Sequence, residues 1–428
     1  MNGEEIYTLA QRLWPIPRSI TGDGVRETLN ILREHIPNLI VKEVQSGDRV
    51  FDWVVPMEWK IQNAYIIAPS GEKICDFKKC NLHVIGYSTP IDKIVSLAEL
   101  EEHLYSIPDQ PNAVPYITSY YKERWGFCIS HNERMTLVSG DYRVFIDSKI
   151  FSGSLTYGEM IVPGLSAEEV MLSSYICHPS MANNELSGPC VLTYLAKNIQ
   201  KQSQLKYTYR FVFIPETIGS IIYLSKNLDH LKKHVVAGFN ISCVGDERGY
   251  SYLPSRQGDT LSDKVAKHVL KHVSPTWKCY SWSDRGSDER QYCAPGVDLP
   301  IASIMRTKYG EYSEYHTSLD DLNQVVTANG LQGGYNAIWL AIQSLELNCY
   351  PYVNVLCEPQ LGKRGLYPTL STKSSTAQVR VMMDLLTWSD GTKDIIDIAE
   401  IIGCSVWELN NVLEQLVSFG LISKRGKP

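Results

Sequence analysis

Apolar positions change their period along the chain, and each change predicts a different kind of structure. Between Glu4 and Ile36 they recur at helical spacing on both sides of a break that carries Pro15 and Pro17, so two amphipathic helices are expected. From about Leu39 to about Tyr157 the pattern shortens into β-rich runs, among them VFDWVVP, NAYIIAPSGEKI and YRVFIDSKI, separated by turn residues. Aromatic clusters at Tyr120–Tyr121 and Trp125–Phe127 thicken this mostly-β module. Beyond Glu169 near-continuous apolar runs alternate with amphipathic stretches. VMLSSYI reads as a buried strand, and Gly188 opens a helix with Val191, Leu192, Leu195 and Ile199 on one face. YRFVFIP, VVAGFNISCV and DLPIASIM follow as further buried strands, with helices over 262–273 and 331–345. The fold class expected is α/β, a mixed sheet covered by helices on both faces. In such sheets ligands gather at the carboxyl ends of the strands.

The last part of the chain differs again. YPTLSTKSSTAQ reads as a linker. The remainder reads helix, Ser-Asp-Gly turn, short helix, second turn at Gly403–Ser405, longer helix and the start of a hairpin. That order predicts a winged helix-turn-helix over 366–428. Its expected recognition helix, near Val406 to Phe419, carries Glu408 and Glu414 and neither Lys nor Arg. A helix that reads phosphates needs cations, so the expectation is a protein partner or a structural role, not nucleic acid.

Composition narrows the remaining classes. A 428-residue chain with 44% hydrophobic and 21% charged residues is that of a multidomain globular protein. A net charge of −6 gives no general attraction to nucleic acid or anionic lipid. The opening MNGEEIYTLAQRLWPIPRSI lacks an apolar h-region, and no run approaches a membrane span. Eleven cysteines are scattered singly, with Cys75 and Cys80 the only close pair, which argues against both a disulfide framework and a zinc knuckle. A reduced, cytoplasmic protein without membrane partners is expected, and a homo-oligomer fits equally well.

The candidate chemistry lies at the predicted strand ends. CHPSMANNELSG follows one buried strand and places His178 and Glu185 where a helix begins. Glu216 follows FVFIP, Asp246 follows ISCVG, and His316 lies in YHTSLDD after IASIMRTKYG. Two imidazoles and three carboxylates on one sheet edge are a donor set suited to a metal.

This order resembles the co-catalytic zinc aminopeptidases of the bacterial leucyl aminopeptidase and glutamate carboxypeptidase type. Their motifs run His, a bridging Asp before Ser-Gly, Glu-Glu-x-Gly, Asp, and Tyr-His-Thr with a later Asp. Here they are matched by His178, by Asn184 to Gly188, by Glu216 to Gly219, by Asp246, and by Tyr315 to Thr317 with Asp320. Taken whole, with RSITGDG, FDWVVPMEW, PETIGS and GSDERQYCAPGVDLP added, the chain is similar to a bacterial family described as polysaccharide biosynthesis proteins with an aminopeptidase-like domain. The resemblance implies a peptidase-like α/β domain from 1–40 and 155–355, interrupted by a β-rich module at 41–154.

The departures fall on the metal site. Asn184 stands at the bridging-Asp position, Thr217 at the second Glu, and Ser242 at the later ligand Asp. Two zinc ions need a bridging anion between them, so one zinc is expected rather than two. His178 and His316 are the surest ligands, with Glu185 or Asp246 completing the set. The implied activity is hydrolysis of a peptide or amide bond at a free amino terminus, with Glu216 as general base. Asp288 or Glu289 would hold the substrate ammonium, Arg306 a carboxylate or phosphate, and Asn184 and Tyr315 would line the substrate site. The alternative is a divergent, non-hydrolytic binding scaffold for surface-polysaccharide assembly.

Overall fold

The structure, a computed structural model, describes residues 2–120, 122–366 and 373–426. It divides into two compact units, one of residues 1–262 and 278–336, the other of 263–277 and 337–428.

The first unit opens with α1 (Gly3–Leu13) and α2 (Asp23–His35), the two helices expected on either side of the proline break. Asn2 caps α1 by accepting from the Glu4 N–H, and Ile6, Leu9, Ala10 and Leu13 form its buried stripe. The main sheet is built from β1 (Ile40–Gln45), then, after the inserted module, from strands later in the chain. The module contains β2 (Glu58–Ile67), β3 (Lys73–Ile74), β4 (Ile91–Ser96) and β5 (Asp141–Phe151), joined in the order β3-β2-β5-β4. It has its own core around Ile66, Phe127, Tyr142 and Val144.

After β5 the chain returns to the main sheet as β6 (Ser154–Val162) and β7 (Glu169–Tyr175). Then come α3 (Ser187–Ile199), β8 (Thr208–Ile214), α4 (Ile218–His234), β9 (Val235–Asn240), β10 (Ser251–Leu253), β11 (Lys278–Cys279) and β12 (Ile301–Met305). Eight strands lie in the order β1-β6-β8-β7-β9-β12-β10-β11. The middle four, β8, β7, β9 and β12, run parallel, and antiparallel pairs flank them. All seven β7 positions and all five of β12 are buried, the expected result when helices cover both faces of parallel strands.

Two features hold this sheet in register. Gly188, at the start of α3, lies so close to the strands that an added Cβ would sit 2.4 Å from the Ile241 carbonyl oxygen and from Ser174 Oγ. Only glycine permits that approach of helix to sheet. Within the sheet, the buried Arg210 guanidinium on β8 bonds Glu159 on β6 at 2.6 Å and Glu169 on β7 at 2.6 and 2.9 Å. This ion triad ties three adjacent strands together.

In the second unit the helix Leu261–Val273, from Asp263 onward, joins the helices Lys373–Trp388, Ile395–Ile402 and Val406–Ser418. Val406, Leu409, Leu413 and Leu416 form the buried stripe of the last helix. Ser405 and Glu408 close a reciprocal capping box at its start. The wing strand Ile422–Arg425 pairs with Tyr350–Val353, so its partner precedes the three helices. Of the expected linker, 367–372 lie outside the described residues, whereas helix begins at Lys373.

Candidate functional site

Because β7, β8, β9 and β12 run parallel, the loops that follow them emerge on one edge. The loop after β7 carries His178, which is 4% exposed. After β8 the chain turns sharply through Glu216 and Thr217 into α4. Thr217, a β-branched residue, adopts φ 62° and ψ −77°, a conformation that costs about 1–3 kcal/mol. The loop after β12 brings His316, itself at φ 58°, alongside.

These three residues converge. His178 Nε2 lies 3.6 Å from Glu216 Oε2, and the His178 and His316 ring centres are 5.6 Å apart. The other nitrogen of His178, Nδ1, bonds Glu185 Oε2 at 2.8 Å. Cys177, His178 and Glu185 together present donor atoms within 4.8 Å of one another. The Glu185 contact makes it an orienting partner that turns Nε2 toward Glu216, as carboxylates commonly do behind ligating histidines. Glu185 is fully buried, and its Oε1 has no hydrogen-bond partner but lies 3.7 Å from Arg18 Nε. Arg18 in turn donates to the His178 carbonyl at 3.0 Å and to the Leu13 carbonyl at 2.8 Å.

Electrostatics separate the two imidazoles. Burial opposes charge on His178, but Cys177 and Glu185 outweigh it and raise its pKa well above the usual range. Burial, and then the neighbouring His178, push His316 down to about 3. His316 is thus held toward its neutral form, the one that ligates metals, whereas His178 is held toward its cationic form and would have to give up its Nε2 proton to bind one. Glu216 is raised by burial, against the opposing pull of His178 and Arg290. Its side chain is 22% exposed, whereas that of Glu185 is fully buried.

Other expected site residues are held differently. Asp246 was a candidate ligand, yet its carboxylate is fully engaged by Asn183 Nδ2, Thr307 N, Thr307 Oγ1 and the Arg248 N–H at 2.8–3.0 Å. It fastens loops and is not among the donor atoms around His178. Glu289 accepts from Gly286 N, Ser287 N and Tyr309 Oη at Oε1 and from Asn240 Nδ2 at Oε2, so most of its accepting capacity is taken up within the protein. Asp288 caps α4 by accepting from Thr217 N and Ser220 Oγ, with Oδ2 unpartnered. Burial and then the Glu216 charge push its pKa up, which weakens it as a counter-ion. Arg306 stacks 3.9 Å over the Tyr250 ring and donates to the Asp246 carbonyl. Asn184 accepts from Tyr175 Oη at 3.1 Å while its Nδ2 is unpartnered. Tyr315 stacks on His316 with centroids 3.8 Å apart.

Three residues that strand-end reasoning passed over belong here. Tyr116 arrives from the inserted module and packs 5.2 Å from His178 and 5.3 Å from His316, ring centre to ring centre. Its N–H donates to the His316 carbonyl at 2.9 Å, and Val114 and Ser318 exchange further bonds beside it. Asp320 accepts from Asn183 N, Asn184 N and Tyr312 Oη, pinning the loop before α3. Arg18 is the third. Its signal was a lone arginine just after the proline break, and Tyr116 sits four residues before the Tyr120–Tyr121 pair.

A family model described as a domain of unknown function, DUF4910, matches residues 7–348, and a winged helix-turn-helix model matches 348–424. The chain belongs to the DUF4910 family. A Clostridium acetobutylicum relative of this DUF4910 protein is 46% identical over 399 residues, spanning 93% of this chain and 91% of its own. It is provisionally named a polysaccharide biosynthesis protein with an aminopeptidase-like domain. A solved structure from the same species, provisionally described as a peptidase, is 43% identical with a TM-score of 0.93, covering 99% of this chain and 96% of that one. The Bacillus subtilis zinc aminopeptidase BSAP is 10% identical with a TM-score of 0.59, over 80% of this chain and 95% of that one. That similarity makes the DUF4910 region aminopeptidase-like in fold. The family match also bears out the C-terminal winged helix.

Proposed function

We propose that this protein is a zinc-dependent aminopeptidase-like hydrolase that cleaves a peptide or amide bond next to a free amino group. The observation that carries the reading is that His178, Glu216 and His316 follow parallel strands to one edge of the sheet, with His178 Nε2 3.6 Å from Glu216 Oε2 and the two imidazole centres 5.6 Å apart. His178 and His316, whose ring centres are 5.6 Å apart, would hold one ion. His178 Nε2 is turned outward by the Glu185 bond on Nδ1, whereas Asn184, an amide, stands where a bridging carboxylate would be needed for two. Zinc, when bound, supplies Lewis-acid polarisation of the scissile carbonyl.

The chain's own residues supply the rest. Glu216 takes the proton of the attacking water and passes it to the leaving amine, and its raised pKa suits that exchange. Asp288 fixes the turn that aims Glu216. Tyr116 walls both imidazoles and limits the size of what reaches them. Release of an amino acid from a panel of aminoacyl amides by zinc-loaded protein, abolished by Glu216→Gln, is the expected result.

One observation favours a second reading. Asn184, Thr217 and Ser242 replace three carboxylates of the resembled peptidases, and Ser242 Oγ is buried without a partner. A non-hydrolytic scaffold in polysaccharide biosynthesis, the process in the relative's name, predicts no turnover on any amide together with retained ligand binding.

A further inference from the structure

Away from the histidines, a cavity of about 400 Å³ lies between the N-terminal segment and the inserted module. Trp14 and Phe77 line it, Lys78 and Lys79 stand exposed on it, and Ser180 and Ser318 close one side. Its volume falls within the range of small-molecule sites. The nearby Asp76 is paired with Lys73 at 3.0 Å. Pro17, Phe77 and Asn81 also line a second, narrower space of about 20 Å³, which reaches Arg18 and Tyr116. That neck has room for roughly one oxygen atom.

Two buried polar atoms on residues lining this neck have no partner. They are Arg18 Nη2, on a residue 2% exposed, and Asn81 Oδ1, on a residue 8% exposed. Leaving such atoms unsatisfied costs about 1–3 kcal/mol each, and more for a charged group. Nη2 requires an acceptor and Oδ1 a donor. A hydroxyl is both at once, whereas a phosphate or carboxylate oxygen satisfies only Nη2.

We propose that this cavity binds a phosphorylated sugar. A ring hydroxyl enters the neck, accepting from Arg18 and donating to Asn81. The apolar face of the ring lies on the aromatic surface of Trp14 and Phe77, and the phosphate pairs with Lys78 and Lys79. Arg18 also bonds the His178 carbonyl, so occupancy is mechanically linked to the histidine loop. The inference does not rest on the hydrolytic reading.

The test is calorimetric titration of the full chain with glucose 1-phosphate, beside glucose and inorganic phosphate alone. UDP-glucose in a parallel titration separates a free sugar phosphate from a nucleotide-linked one. Saturable binding of either, tighter than both fragments and weakened about tenfold or more in Lys78→Gln/Lys79→Gln, is expected. Those lysines are exposed, so the variant keeps its fold; Asn81→Asp, which replaces the amide by a carboxylate at the neck, is a second probe and is expected to change affinity. The proposal is overturned if neither sugar ligand binds with Kd below about 1 mM. It is equally overturned if phosphate alone binds as tightly, or if the lysine variant binds like the native chain.

Discussion

Replacing Glu185 by Gln separates the two tasks assigned to that carboxylate. Glu185 Oε2 holds His178 Nδ1 at 2.8 Å, and Oε1 lies 3.7 Å from Arg18 Nε with both side chains fully buried. A glutamine keeps the shape and can still accept from Nδ1, but it leaves the guanidinium without its counter-charge. At an effective dielectric constant near 20, the attraction across 3.7 Å is about 4–5 kcal/mol. Arg18 retains its bonds to the Leu13 and His178 carbonyls, so a net loss of about 3 kcal/mol is expected, at the low end for breaking a buried pair. Urea unfolding of native and variant chains with equal m-values measures it. Weaker support behind His178 also lowers zinc affinity by about 10–100-fold, read by competition with a chromophoric chelator. A stability change below about 1 kcal/mol together with unaltered zinc affinity would refute the reasoning, because neither the ion pair nor the orienting bond could then matter.

Other consequences follow from groups elsewhere. Arg210→Met strands the buried carboxylates of Glu159 and Glu169 and should cost about 3–5 kcal/mol, measured by denaturant unfolding. In the native chain burial works against both carboxylates, yet their partners hold both pKa values below the usual range. Their stabilisation is therefore complete above the unfolded pKa of about 4.3 and is lost as pH falls through the lower folded values, so an acid titration of stability checks the sign. His268, in the second unit, bonds Glu400 through Nδ1 and accepts the Val406 N–H at Nε2. Burial, outweighing Glu400, lowers its pKa from 6.5. Its contribution is complete above about pH 6.5 and falls as the pH drops toward the lower folded value; His268→Gln should flatten that part of the stability curve. Tyr116→Ala removes the ring beside both histidines and should raise kcat/KM for bulky amides relative to small ones without changing zinc stoichiometry, which parallel kinetics and elemental analysis would show.

Much of this architecture is local and therefore legible along the chain. The strands VMLSSYI and YRFVFIP announce themselves because burial on both faces demands unbroken apolar runs. The winged helix follows from the order of its helices and turns. His178, Glu216 and His316 share one edge because parallel strands deliver their following loops to a common side. What a side chain does on arrival depends on partners far away in sequence, and only the tertiary structure decided that. Glu185 and Asp246 looked alike as ligands, yet one faces the back of an imidazole beside Arg18 and the other is saturated by four donors. Glu289 is largely occupied too, by its own loop and by Tyr309 and Asn240. The wing's partner strand lies more than sixty residues upstream of it, and Tyr116 reaches His316 across two hundred. Periodicity records which face of an element is buried. It carries no record of which polar groups must satisfy one another once the chain closes, and at this site those pairings assign the roles.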